Sequence, residues 1–259
     1  LDMFHRFINM KEGIIKNKQK EKVEKATLTE ETEHKFSPSE LDYKAKKCKR
    51  CFYIHKKYKV SDGGRPPPVF SSLDSNQKPY YQSINTKDWC EDLPDGTFMD
   101  KSDGLPPKIT SEGLLDDKKR KFKLNGVPDI VIKLKEEGYA IYDFKTTNIK
   151  PHKAEDYRYQ LEAYAQIFAK PGSLKSSTTP KLLPIKHMGI IQFEPSELIS
   201  HNKKEHNMKF KVSFSPLKRD EKDFYNHITN LIDLIESPET PEYSDDCSAC
   251  QFTEINSNL

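Results

Sequence analysis

Hydrophobic residues are concentrated in two short stretches near the middle of the chain. Residues 127–134 read VPDIVIKL and residues 139–145 read YAIYDFK. Enrichment in valine, isoleucine and tyrosine predicts a strand for each stretch. The polar segment Glu136-Glu137-Gly138 lies between them. An antiparallel hairpin about this glycine-containing turn is therefore the simplest connection.

Apolar residues recur at helical spacing in three other segments. Residues 37–59 begin with Ser37, Pro38 and Glu40, a combination that caps and starts a helix. Residues 154–169 and 220–236 each place apolar side chains on one face. Residues 120–124, 186–193 and 208–214 complete the predicted strands. The residues expected to be buried on the last two helices are Leu161, Tyr164, Ala165, Phe168, Phe224, Ile228, Leu231, Ile232 and Ile235.

The two central strands contain Asp129, Asp143 and Lys145, charged residues among mostly apolar neighbours. Aspartate is depleted from strands, and charges are rarely buried without a partner or a metal. Folding about the turn places Asp129 beside the end of the partner strand that carries the other two. Because side chains alternate, Asp143 and Lys145 share one face while Phe144 points to the other.

Two carboxylates at that distance repel each other unless a cation lies between them. Mg²⁺ and Mn²⁺ prefer oxygen ligands of this kind. An adjacent lysine can orient a water molecule and stabilise charge that develops on a phosphate. The pattern therefore predicts a metal-dependent active site.

Composition limits the number of domains and the classes of protein, but it does not assign a function. The chain has 259 residues, enough for one large domain or two small ones, and a net charge of +3 that by itself supports nucleic-acid binding only weakly. It has no apolar run approaching the roughly 18 residues of a membrane span, and no secretory signal is visible, so we expect a cytoplasmic protein without a membrane partner. Cations cluster within residues 37–59, where a nucleic-acid contact and a solvated cationic face are equally compatible readings: Lys46, Lys47, Lys49, Arg50, Lys56 and Lys57.

Four of the five cysteines form two CxxC pairs, Cys48 with Cys51 and Cys247 with Cys250, and Cys90 is left over. This pattern suits a metal site in a reducing cytoplasm better than a disulfide framework. The two pairs together can hold structural Zn²⁺ or an iron–sulfur cluster. Such a site would join the N-terminal helix to the C-terminal tail across a loop of about 200 residues.

The central motifs resemble those of the PD-(D/E)xK nuclease superfamily. Pro128-Asp129 is followed, after thirteen residues, by Asp143-Phe144-Lys145, and the next helix carries Gln160-x-x-x-Tyr164, similar to the QxxxY element of the RecB-like branch. Residues four apart share a helix face, so Gln160 and Tyr164 can both face the strand ends. A turn aspartate, an exposed ion pair and a solvated glutamine would explain the same residues only through three coincidences of order and spacing.

This resemblance, which covers residues 37 to about 250, implies an α/β fold with a mixed central sheet flanked by helices, as in restriction endonucleases. Residues 1–36 would be a charged extension and residues 37–259 a single nuclease-like domain. The implied function is hydrolysis of DNA phosphodiester bonds with Mg²⁺ or Mn²⁺. Asp129 and Asp143 would bind the metal together with the backbone carbonyl of Phe144. Lys145 would position water or stabilise the transition state, and Gln160 and Tyr164 would orient substrate or the lysine.

The cysteines extend the resemblance. CRISPR-associated and AddB-type RecB-like nucleases join N-terminal and C-terminal cysteines around a [4Fe–4S] cluster. The run from Cys48 to Tyr53 is similar to their first cysteine element, with Lys49 in place of proline. Those families usually supply one early and three late cysteines, whereas this chain supplies two and two. The two-and-two pattern fits zinc equally well, whereas the family resemblance favours an iron–sulfur cluster.

One departure concerns activity. RecB-like nucleases usually carry a histidine or glutamate upstream of the first aspartate, but no histidine lies between His55 and His152. Glu112 is the acidic residue at a plausible distance. The alternative function is therefore a catalytically inactive nucleic-acid-binding or scaffold subunit that retains the nuclease fold. A zinc-stabilised interaction module would leave the strand carboxylates unexplained.

The expected partner is DNA, single- or double-stranded. The chain carries no helicase motif, so a helicase or another protein subunit would be a separate chain.

Overall fold

The computed structural model describes residues 33–60, 67–81, 84–88 and 90–257. Its helices are α1 (Pro38–Lys47), α2 (Lys49–Tyr58), α3 (Pro68–Tyr81), α4 (Arg158–Ala169), α5 (Glu221–Glu236) and α6 (Ser248–Ser257). Its strands are β1 (His34–Phe36), β2 (Gly96–Phe98), β3 (Ile109–Thr110), β4 (Leu114–Leu115), β5 (Lys121–Gly126), β6 (Ile130–Leu134), β7 (Tyr139–Thr146), β8 (Ser173–Leu174), β9 (Ser177–Thr178), β10 (Ile185–His201) and β11 (His206–Leu217). None of the helices within these ranges has the length and apolar character needed to cross a bilayer.

The described residues form two compact units. Of the described residues, 44–60 and 230–257 belong to the smaller unit, and 33–43 and those between 67 and 229 belong to the larger unit. Most of the predicted N-terminal extension, residues 1–32, lies outside the described residues. The single domain expected over 37–259 stays a prediction.

A five-stranded mixed sheet forms the centre of the larger unit, in the order β11-β10-β7-β6-β2. Strands β6 and β7 form the predicted antiparallel hairpin, with Ile130 opposite Tyr142. Strand β7 pairs in parallel with β10, and the other neighbouring pairs are antiparallel. The mixed α/β fold predicted from the sequence is thereby confirmed.

A second, smaller sheet lies in the same unit. Strand β5 pairs in parallel with β1 and antiparallel with β3 and β4. The strand predicted over 120–124 therefore belongs to this second sheet and not to the central one. Strands β10 and β11 are longer than predicted, and their distal halves form an exposed two-stranded ribbon.

One face of the central sheet carries the apolar core. Ile130, Tyr142, Phe144, Ile191 and Phe193 are buried together on it. Helix α4 packs against β7 and β10. Its predicted inner face is buried, as is that of α5. Because side chains alternate along β7, Asp143 and Lys145 point away from the Phe144 face.

The helix predicted over 37–59 is divided into α1 and α2 by Cys48. This residue has an extended backbone, with φ −159° and ψ 119°. At the start of α1, the backbone N–H of Ser37 donates to the Glu40 carboxylate at 3.0 Å, in agreement with the predicted cap. The break at Cys48 has no signal in helix propensity, and its cause lies in the packing of the thiols described below.

Candidate functional site

Asp129 stands immediately before β6, at the end of the hairpin. The register that pairs Ile130 with Tyr142 brings it beside Asp143 on the neighbouring strand. The backbone N–H of Phe144 donates to Asp129 Oδ2 at 2.9 Å. The hairpin therefore fixes the first carboxylate against the strand that carries the second.

Asp143 is almost completely buried, with 2% of its surface exposed. Its Oδ2 forms an ion pair with the ammonium of Lys145. Its Oδ1 accepts a hydrogen bond from Nε2 of Gln160 at 2.7 Å. The structure thus brings the strand residues of the DxK motif and the glutamine of the helix motif into direct contact.

Tyr164, one turn after Gln160 on α4, reaches a different part of the site. Its hydroxyl donates to the backbone carbonyl of Val127 at 2.8 Å. Val127 lies two residues before Asp129, so this bond holds the segment that leads into the first carboxylate. The two residues of the QxxxY pattern therefore support the two aspartates separately.

Helix α4 is held in place by a buried ion pair. Glu162, with a side chain 3% exposed, accepts a hydrogen bond from the Arg219 guanidinium at 2.6 Å. Glu162 also accepts from Nε2 of Gln166 at 3.0 Å. Since a buried carboxylate is costly unless it is paired, these contacts favour one position of α4 against the sheet.

The electrostatics of the site follow from crowding of charge. Burial, and next the neighbouring Asp129 carboxylate, raise the pKa of Asp143 well above its usual range, although Lys145 acts in the opposite direction. Burial lowers the pKa of Lys145, but the carboxylates of Asp143 and Asp129 outweigh it and raise that pKa overall. The site therefore favours a positive charge near Asp143.

Sequence reasoning missed two residues of the site. The Lys78 ammonium on α3 lies 2.8 Å from Asp129 Oδ1. The ring of Tyr157, just before α4, has its centroid 4.5 Å from the Lys145 ammonium, a cation–π contact. Neither residue belongs to a recognisable motif, and only the packing of their segments brings them to the site.

Two further sequence expectations concern Phe144 and Glu112. The Phe144 ring packs on the opposite face of β7, with centroids 5.2 Å from Phe193 and 5.7 Å from Tyr81, as the alternation predicted. Glu112 is exposed, and its backbone N–H donates to the carbonyl of Lys170 at 2.9 Å. Lys170 follows the C-terminal end of α4, whereas Gln160 is in its first turn, so the structure does not bring Glu112 to the site.

The donor set fits a divalent cation. Two aspartates present carboxylate oxygens, the ligands that Mg²⁺ and Mn²⁺ prefer. The raised pKa of Asp143 reflects the cost of holding a second negative charge in a buried place. A cation bound between the carboxylates would remove that cost.

The four paired cysteines meet in the smaller unit. All four sulfur atoms lie within 4.8 Å of one another. The Cys51 sulfur is 3.4 Å from that of Cys250 and 3.5 Å from that of Cys247, and the sulfurs of Cys48 and Cys250 are 3.9 Å apart. Cys48, Cys247 and Cys250 are buried. The extended backbone of Cys48, which interrupts the predicted helix, places its thiol in this cluster.

The thiols differ in how easily they ionise. Burial acts to raise the pKa of Cys48, but the backbone N–H groups of Cys51 and Ser244 lower it to about 6. Burial and the neighbouring thiols raise the pKa of Cys51, and burial is also the main cause that raises the pKa of Cys250 to about 11. Several thiolates so close together require a cation, and a metal ion would supply it.

Some cations of the predicted basic segment have structural contacts within the smaller unit. Arg50 Nε donates to the carbonyl of Pro241 at 2.9 Å, and its guanidinium lies over the ring of Tyr243. The Lys57 ammonium donates to the carbonyl of Ser237 at 2.9 Å. These two residues therefore stabilise the fold, whether or not they also contact a nucleic acid.

Comparisons with known proteins identify the family of the chain. No curated protein gave a significant match to the chain. A solved structure titled "Crystal structure of SSO0001" is similar, with a TM-score of 0.47 and 16% sequence identity over 93% of this chain and 95% of that one. The family model of the PD-(D/E)XK nuclease superfamily matches residues 16–255. The chain therefore belongs to the PD-(D/E)XK nuclease superfamily.

Proposed function

We propose that this protein is a metal-dependent nuclease that hydrolyses DNA phosphodiester bonds. The observation that carries the proposal is the convergence of Asp129, Asp143 and Lys145 at one end of the central hairpin. The two carboxylates, with the backbone carbonyl of Phe144, would hold Mg²⁺ or Mn²⁺. When bound, such an ion supplies Lewis acidity and lowers the pKa of its water.

The protein's own groups have distinct roles in this proposal. The Lys145 ammonium orients the attacking water and stabilises negative charge that develops on the phosphate. Gln160 fixes the direction of the Asp143 carboxylate through Oδ1. Tyr164 fixes the segment before Asp129 through the Val127 carbonyl. The last two are thus positioning residues that act through the aspartates.

The test is cleavage of labelled single- and double-stranded DNA with Mg²⁺, with Mn²⁺ or with EDTA. Wild type should cut only with a divalent ion, and Lys145→Ala should lose at least about 100-fold in rate because charge on the phosphate is no longer stabilised. DNA binding should be mostly retained.

Lys135→Ala is the matched control. Its ammonium pairs with Asp95 at 3.1 Å and is largely exposed, so its loss should leave cleavage unchanged. Lys145→Met keeps the aliphatic packing and guards against a folding defect. Equal cleavage by wild type and both Lys145 variants would remove the assignment. If the protein binds DNA but cleaves it with neither Mg²⁺ nor Mn²⁺, the result would favour an inactive nucleic-acid-binding or scaffold subunit.

For the cysteine cluster, we propose a single structural Zn²⁺ ion. A tetrahedron with metal–sulfur arms of about 2.3 Å has edges of about 3.8 Å. Three of the sulfur pairs are 3.4, 3.5 and 3.9 Å apart, close to that edge, and all four sulfurs lie within 4.8 Å of one another. A four-iron cube, in which each iron binds its own thiolate, would space the sulfurs more widely. Unpaired thiols also suit a reducing compartment such as the cytoplasm.

Metal analysis of the purified chain tests this choice. We expect about one zinc ion per chain and no visible absorption, since Zn²⁺ has a filled d shell. Cys250→Ser should reduce the zinc content, whereas Cys90→Ser, outside the cluster, should not. Iron with a brown visible spectrum would instead establish the iron–sulfur reading.

A further inference from the structure

Lys78 is a charged residue of the site that none of the sequence motifs contains. Its ammonium contacts Asp129 Oδ1 at 2.8 Å. The lysine side chain is 23% exposed and the aspartate side chain 15% exposed. The ion pair is therefore largely shielded from water, where such a contact is stronger than at an open surface.

Helix α3 is docked so that this contact forms. Tyr81 follows Lys78 by three residues, on the same side of the helix. Its ring packs with centroids 5.7 Å from Phe144 and 6.3 Å from Phe193. Lys78 thus approaches Asp129 from the Phe144 side of the sheet, and Gln160 approaches Asp143 from α4.

The charges of the site are balanced without a metal. Asp129 pairs with Lys78, and Asp143 pairs with Lys145. The remaining oxygen of Asp129, Oδ2, accepts from the Phe144 N–H. A divalent ion that binds Asp129 through Oδ1 meets an ammonium already at that oxygen, and two cations at one oxygen repel each other.

We propose that Lys78 sets the metal affinity of this site: it neutralises Asp129 in the metal-free protein, and a divalent ion must displace its ammonium to bind. The inference rests on the proposed metal-dependent function and identifies the group that controls its first step. Removal of the charge of Lys78 should therefore strengthen metal binding, whereas loss of a ligand should weaken it.

The experiment is calorimetric titration of the metal-free full chain with Mn²⁺, without DNA. Lys78→Met should bind Mn²⁺ about tenfold more tightly than wild type, because a charge-assisted contact no longer opposes the ion. Lys78→Gln should show the same direction. Lys135→Met, which removes an exposed lysine–aspartate pair, should match wild type.

Asp129→Asn shows where Mn²⁺ binds. It should abolish Mn²⁺ binding both as a single substitution and together with Lys78→Met. Circular dichroism checks that each variant is folded. Both Lys78 variants could bind Mn²⁺ no more tightly than wild type, while Asp129→Asn still abolishes binding. This result would overturn the role of Lys78 but would leave the metal site in place. Absence of Mn²⁺ binding in wild type and in both Lys78 variants would remove the metal site and this inference with it.

Discussion

At the scale of single residues, each aspartate of the site is held by two different neighbours. Asp129 contacts Lys78 and the Phe144 N–H, and Asp143 contacts Lys145 and Gln160. Each carboxylate therefore has one oxygen against an ammonium and the other against a hydrogen-bond donor. This arrangement fixes the directions of both groups before any ligand binds, which is the preorganisation that catalysis requires.

Gly126 permits the close approach of Tyr164. A Cβ at this position would lie 2.8 Å from Cε1 of Tyr164 and 2.9 Å from the ring of Pro38. Gly126→Ala should therefore destabilise the protein by about 1–3 kcal/mol through overpacking. It should also slow cleavage, since the Tyr164 hydroxyl would move from the Val127 carbonyl.

Chemical denaturation and the DNA cleavage assay measure the two effects. Gly113→Ala is the control, because its Cβ would meet only the flexible end of Glu33, at 3.3 Å. Wild-type stability in the Gly126 variant would contradict the packing argument.

At the scale of elements, the site depends on three separate segments. The β6–β7 hairpin supplies both aspartates and Lys145, α4 supplies Gln160, and α3 supplies Lys78. The hairpin and α4 carry periodic patterns that sequence reasoning detects. Helix α3 has only a weak pattern, and nothing in its sequence marks Lys78 as a residue of the site.

The helix break at Cys48 shows a tertiary effect on local structure. The sequence around it predicts one continuous helix, with a good cap at Ser37 and apolar residues at helical spacing. The requirement to bring four thiols together instead imposes an extended backbone at Cys48. Local propensity is a weak preference, and tertiary contacts worth more than a few tenths of a kcal/mol per residue override it.

At the scale of the whole molecule, the smaller unit differs from the larger one by a buried cluster of cysteines. The larger unit has an aromatic and aliphatic core on its central sheet. In the smaller unit, three buried cysteines form a core cluster with Cys51, Tyr243 and Ala249 around them. That unit also buries Phe52, Tyr53 and Ile232, and a metal bound by the thiols would add directly to its stability.

Loss of the metal should therefore loosen the smaller unit first. We expect zinc chelation or Cys250→Ser to increase amide hydrogen exchange in α2 and α6, while β6 and β7 keep their protection. Cys90→Ser, which alters a cysteine of the larger unit, should leave exchange in α2 and α6 unchanged. Hydrogen exchange read by mass spectrometry distinguishes these segments, and undiminished protection of α2 and α6 after chelation would contradict a stabilising metal.

The sequence by itself determined the hairpin, the amphipathic helices and the two sets of residues whose side chains can bind a metal or carry out chemistry. Asp129, Asp143 and Lys145 were detectable because charges contradict the apolar strands around them, and the cysteines were detectable by their spacing. These signals are local, since they depend on periods of two or about four residues and on turn chemistry. They also sufficed to indicate the superfamily to which the chain belongs.

Four features were decided only by the tertiary structure. They are the place of β5 in a second sheet, the helix break at Cys48, the position of Glu112 away from the site and the contact of Lys78 with Asp129. Each depends on which distant segments pack together, and packing between distant segments leaves no periodic trace in either of them. From the sequence alone, Lys78 would be interpreted as a solvated charge. In the structure, its ammonium lies 2.8 Å from the Asp129 carboxylate. The residues that supply the chemistry were thus visible in the sequence, whereas the residue proposed to regulate metal binding was visible only in the fold.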